Sequence, residues 1–126
     1  MWIYQQSSGK LWDNMGELVG TGYAGGDAGK RPDAVNNPKL ENVKGVGPLP
    51  HGRYTFGIPV DHSQLGPYAI PLTPNLGNKM YGRGGFYMHG DNFNLNRSAS
   101  DGCIIMPHDV REACYASNDH QLVVIS

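Results

Sequence analysis

Gly84-Gly85-Phe86-Tyr87-Met88-His89-Gly90 and Gly102-Cys103-Ile104-Ile105-Met106 are the two stretches that decide how this chain is read. Each is a short apolar run bounded by glycine, which reads as a strand. The first ends on a histidine and the second begins on a cysteine, with a polar loop from Asp91 to Ser100 between them. If the two strands are neighbours, that loop returns imidazole and thiol to one place. A thiol is a strong nucleophile only as thiolate, so it needs a base or a positive environment beside it. Gly102 lets the backbone turn so that consecutive N–H groups aim at one point, as an oxyanion hole requires. The spacing alone also fits a small core cysteine and a structural histidine.

Outward from these stretches the chain continues as short strands and turns. Trp2 to Gln6 is a strand signal, Ser7 to Lys10 a turn, and Leu11-Trp12 resumes. A turn at Asn14-Met15-Gly16 leads to Leu18–Tyr23, completing the start of a β-meander. Gly47 to Gly52 is a rigid double turn. Arg53 to Ile58 alternates, with Tyr54, Phe56 and Ile58 predicted on one face. Pro67 to Leu72 reads as an edge strand, because proline cannot donate to a ladder. Gln121 to Ile125 is the last strand. One helix is predicted: Pro107 suits its first turn, Asp109 suits the helix dipole, and Val110, Ala113 and Cys114 fall on one face. It ends around Ser117-Asn118. Cys114 is predicted buried and inert. Residues 24 to 48 cannot make a regular strand or helix, and a loop that long is usually functional or mobile.

Composition agrees with a turn-rich, mostly β domain. The 126 residues make one domain, and 18 glycines with 9 prolines are well above the usual share. The formal net charge is −1 and 17% of residues are charged, too few for the disorder that low aliphatic content would otherwise suggest. Seven Tyr, two Trp and three Phe supply buriable surface. The near-neutral balance speaks against a nucleic-acid groove. The apolar runs are too short to enter a membrane. Met1 to Gln6 lacks the charge and apolar stretch of a signal peptide, so synthesis in the cytoplasm is expected. Two cysteines build no disulfide framework, and their spacing fits no common zinc pattern. No metal or cofactor is expected, and a monomer is.

His89-Gly90, a loop, then Ser100-Asp101-Gly102-Cys103-Ile104 resembles the signature of L,D-transpeptidases of the YkuD type, cysteine enzymes that remodel peptidoglycan stems. Gly47-Pro48-Leu49-Pro50-His51-Gly52-Arg53-Tyr54 is similar to that family's Pro-x-Gly-x-Phe/Tyr segment. The opening hairpin, Val19 to Gly25 and Gly82 to Asp91 resemble the type VI secretion effectors of the same superfamily, and the likeness covers most of the chain in order. The resemblance implies a mostly β, single-domain, L,D-transpeptidase-like β-sandwich over residues 1–126 with one short helix in the C-terminal half.

It also implies roles. Cys103 is the nucleophile, His89 the base, and the Gly90 carbonyl orients the imidazole. Backbone N–H groups of Gly102, Cys103 and Asp101 form the oxyanion hole. Ser100, Arg83 and Tyr23 are expected on the substrate side, Ser100 supporting the loop. Many relatives carry His where Asp101 stands; an acid there raises the thiol pKa unless it points away or pairs with Arg83 or Arg97. The implied partners are peptidoglycan stem peptides and an immunity protein, with action in a target cell's periplasm. The implied activity is L,D-carboxypeptidase or L,D-transpeptidase, including D-amino acid exchange, with residues 24–48 governing access. A phage-type lysin or cysteine endopeptidase on the same fold, and a non-catalytic wall-binding module, are the competing readings.

Overall fold

The computed structural model describes all residues from Met1 to Ser126. It has ten strands and one α-helix. The strands are β1 (Trp2–Gln5), β2 (Lys10–Trp12), β3 (Leu18–Thr21), β4 (Tyr23–Ala24), β5 (Gly52–Phe56), β6 (Val60–His62), β7 (Gly66–Pro74), β8 (Tyr87–His89), β9 (Ile104–Ile105) and β10 (Gln121–Ile125). The helix, α1, is His108–Ala116. The protein is mostly β, a single domain with one helix and a mixed sheet.

Hydrogen bonding runs β3-β2-β1-β10-β5-β7-β8-β9-β4, with β6 beside β7. The meander β1-β2-β3 is antiparallel as predicted. β10 pairs parallel with β1 and antiparallel with β5, which ties the end of the chain to its beginning. Alternation then decides the core: Trp2 and Tyr4, Tyr54 and Phe56, and Leu122 and Val124 are buried. They join Ile70, Met88 and Ile104 from the β7-β8-β9 half, and Val110 and Cys114 from α1, in one cluster. Each such side chain contributes about 1.5–3 kcal/mol when fully buried.

β7 is central, not the edge strand its prolines predict. It changes partner along its length: Ala69 faces Val60 of β6, Ile70 and Pro71 face β8, and Leu72, Thr73 and Pro74 face β5. No single ladder is long enough to demand an N–H from each proline. Pro71 instead accepts from Gly57 N–H through its carbonyl. This switch lets one strand connect the two halves.

Three further expectations are corrected. Ile58 lies beyond β5 and is 74% exposed, so it does not share the buried face of Tyr54 and Phe56. Ala113 is exposed on α1, and Arg111 is buried with Val110 and Cys114 instead. The third strand breaks at Gly22, because the chain there crosses from β2 to β9. A Cβ on Gly22 would stand 1.7 Å from the Ile105 carbonyl oxygen, so only glycine permits that crossing.

Residues 24–48 contain three single turns of 3₁₀-helix, Asp27–Gly29, Pro32–Ala34 and Pro38–Leu40. They are held to the segment before Cys103. Ala28 N–H donates to the Ser100 carbonyl at 2.9 Å, and nearby Leu49 N–H donates to the Gly102 carbonyl at 3.0 Å.

Candidate active site

β8 and β9 are neighbouring parallel strands, pairing Met88 with Ile104 and His89 with Ile105. Tyr87 and Cys103 therefore come level one step earlier. Side chains alternate along a strand, so Tyr87 and His89 share a face, with Ile105 beside His89. Strand spacing and a two-residue rise put the Cys103 and His89 Cα atoms about 8 Å apart. Both residues are buried, Cys103 at 6% and His89 at 3% exposure.

The His89 ring is fixed by a 2.8 Å hydrogen bond from Nδ1 to the Gly90 carbonyl. A carbonyl only accepts, so Nδ1 carries the proton and the neutral ring keeps a lone pair on Nε2. Burial holds the His89 pKa below its ordinary value. The Gly90 bond opposes this, and the positive charge of Arg111 adds to it.

The Cys103 thiol is pushed up to about 11, chiefly by burial. Asp101 raises it further, while Tyr87 N–H, 3.3 Å from Sγ, and the charge of Arg83 pull it down. Sγ takes its hydrogen bond from Tyr87 and none from His89. The resting pair is therefore thiol and neutral imidazole.

The loop before Cys103 is organised by Ser100. Its buried hydroxyl donates to the Cys103 carbonyl at 2.6 Å and accepts from Gly25 N–H at 2.9 Å and Gly102 N–H at 3.0 Å. Gly102 N–H, expected in the oxyanion hole, is thus already engaged. The Asp101 N–H has no acceptor in the protein, and the Cys103 N–H faces only its own Sγ. Gly102 itself has φ +152°, and a Cβ there would lie 2.7 Å from Arg83 Nη2 and 2.8 Å from the Phe86 ring.

Arg83 and Tyr23, expected at the substrate, also serve the protein itself. Arg83 donates Nη1 to the Glu41 and Pro48 carbonyls and Nη2 to those of Gly47 and Asp101. It bonds the Asp101 backbone and not its carboxylate. Tyr23 donates its O–H to Asp91 at 2.7 Å and accepts Ala99 N–H at 3.1 Å. Two groups to which the motif assigns no role stand at the site: the backbone N–H of Tyr87, on the same strand as His89, and the Arg111 side chain, which reaches Gly90 from α1.

Two clefts flank the pair. Cys103 opens on one of about 180 Å³ beside Lys44, Gly84, Gly85 and Asp101. His89 opens on one of about 600 Å³ bounded by Gln64, Pro67, Phe93 and Arg111. No cluster of metal-ligating side chains is present.

Fold and site together define a single-domain, mostly β protein that keeps a buried histidine at the end of one strand and a buried cysteine just before the adjoining one. Residues 22–125 match the family model described as the Tlde1 domain, and the chain belongs to that family of type VI secretion effectors, peptidoglycan-related toxins. Such effectors are secreted against target cells and are typically paired with an immunity protein. No curated protein and no solved structure matches the chain. No helix of the chain is long and apolar enough to cross a membrane.

Proposed function

We propose that this effector is a cysteine acyltransferase acting on peptidoglycan tetrapeptide stems through a Cys103 thioester. The observation that carries this reading is the parallel pairing of β8 with β9, which brings Cys103, just before β9, alongside the strand of His89, while the Gly90 carbonyl orients the imidazole.

Because burial keeps the thiol protonated, the base acts during attack and not before it. His89 Nε2 takes the thiol proton as Sγ bonds to the carbonyl carbon of the stem's third residue. The oxyanion that forms is met by N–H groups of Cys103 and Asp101, which no carbonyl of the protein occupies. On collapse the C–N bond to the terminal D-alanine breaks, and His89 returns its proton to the leaving amine. The thioester then passes its acyl group to water, releasing a tripeptide, or to an amine such as a free D-amino acid. Stems trimmed or capped in this way cannot donate to cross-links, which accounts for a toxin.

The test is mass spectrometry of muropeptides incubated with the protein. Conversion of tetrapeptide to tripeptide, or to a D-amino acid-exchanged stem, is expected from the wild type and not from Cys103→Ala. Unchanged tetrapeptide with the wild type would overturn the proposal.

A further inference from the structure

Two arginines are buried, Arg83 at 6% and Arg111 at 5% exposure, and neither has a carboxylate partner. A buried guanidinium without a counter-charge is costly unless its donors are satisfied or an anion completes it. Arg83 gives both amino groups to backbone carbonyls. Arg111 does not. Its Nε donates to the Met106 carbonyl at 3.1 Å, and Nη1 donates to those of Pro67 and Tyr68 at 2.8 and 2.9 Å. Nη2 has no acceptor in the protein.

That free amino group lies against the backbone beside the base. A Cβ on Gly90 would stand 3.0 Å from Arg111 Nη2. Arg111 also lines the 600 Å³ cleft on which His89 opens, and a neighbouring one of about 510 Å³. Asp91 borders both clefts, but its Oδ1 is occupied by Tyr23 O–H and Asn92 N–H. The cleft beside His89 therefore presents a fixed cationic donor with one vacancy, oriented by three carbonyl bonds.

The geometry points to Arg111 as the residue that binds the C-terminal carboxylate of the leaving amino acid. This rests on the acyl-transfer reading above and adds to it which stems are taken. His89 protonates the departing amine, so the leaving residue lies on the His89 side of Sγ. Its carboxylate is a single carbon away from that nitrogen, within the same cleft as Nη2. A carboxylate there supplies both the missing acceptor and the missing counter-charge. Stems ending in a free carboxylate are selected, and stems whose terminal carboxyl is tied up as an amide are passed over. The protein is thereby an end-trimming enzyme and not one that opens cross-links.

Binding separates this inference from the chemistry. Isothermal titration of the Cys103→Ala protein with a synthetic tetrapeptide and with its C-terminal amide reads the carboxylate alone. The acid is expected to bind about tenfold to a hundredfold more tightly, the range for a hydrogen bond to a charged group. Adding Arg111→Gln is expected to bring the ratio within about twofold, and Arg111→Lys to keep part of it. Equal binding of acid and amide, binding of neither, or a preference that survives Arg111→Gln would overturn the assignment. If Arg111→Gln does not fold, the ratio in the Cys103→Ala protein and its change in Arg111→Lys still decide. Turnover is scored separately on the wild type. Acid-selective binding without turnover would remove the acyl-transfer reading and leave the carboxylate site standing.

Discussion

At the Cys103 thiol, burial is the largest of several competing influences, opposed by the Tyr87 N–H and Arg83 and reinforced by Asp101. Alkylation of Cys103 by iodoacetamide is therefore expected to climb steadily with pH and show no plateau by pH 9. Asp101→Asn removes a like charge and should move the whole profile to lower pH, raising the rate at pH 8 severalfold. A profile that levels off near pH 7 would contradict the buried, neutral thiol. Cys114, wholly buried on α1 with its thiol pushed up to about 12, should remain unmodified in the same mass spectra. His89 sets the other limb. Its pKa is depressed by burial, so the neutral imidazole predominates at pH 6.5. The acid limb of kcat/KM should accordingly inflect below pH 6.5. An inflection above 7 would mean that a carboxylate such as Asp101 stabilises the imidazolium more than burial and Arg111 disfavour it. That Cys103 returns beside the strand of His89 was legible in the sequence from the flanking glycines and the loop length; the catalytic roles came from the family resemblance. The loop-supporting use of Ser100 was expected too; the uses of Arg83 and Tyr23 were not. A polar side chain near a motif looks the same whether its partner is a substrate or a distant loop, and here the partners come from residues 41 to 48 and 91.

Among the elements, the crossing at Gly22 and the partner switch of β7 position the site. β9 is only two residues long and is held between β8 and β4, so the strand after Cys103 depends on both ladders. Gly22→Ala places a methyl group against the Ile105 carbonyl and should destabilise the fold by about 3 kcal/mol. Gly84→Ala meets nothing within 4 Å and serves as the control. Thermal melting is the measurement: a large drop for the first and little change for the second is expected, and similar melting temperatures would mean that β4 can be displaced without cost. Strand existence was readable from alternation, as in β1, β5 and β10. The place of β7 was not. Proline argues for an edge only when one partner runs the full length of the strand, and the sequence does not reveal that three partners share it. The helix shows the same limit. Spacing put Ala113 inward, but the carbonyls of Pro67 and Tyr68 draw the Arg111 side chain into the fold.

For the molecule as a whole, membership in a toxin family makes location decisive. Directed to the periplasm of a Gram-negative cell, the chain is expected to halt growth, whereas the same chain kept in the cytoplasm should be harmless. Cys103→Ala in the periplasm should be tolerated; killing by that variant would show that the toxicity does not pass through the thiol. The long segment 24–48, open in the sequence to being a mobile gate, is instead bonded to the loop that carries Cys103, through Ala28 to Ser100 and through Arg83 to Gly47 and Asp101. By itself the sequence determined a small β domain, its meander, its helix and the return of a cysteine beside a histidine-bearing strand, because these follow from local periodicity and from the glycines and loop between the two strands. Only the tertiary structure decided which N–H groups are free, which arginine is spent on carbonyls and which keeps a donor to spare. Those outcomes depend on where backbone groups from separate loops come to rest, and no local pattern in the chain encodes that.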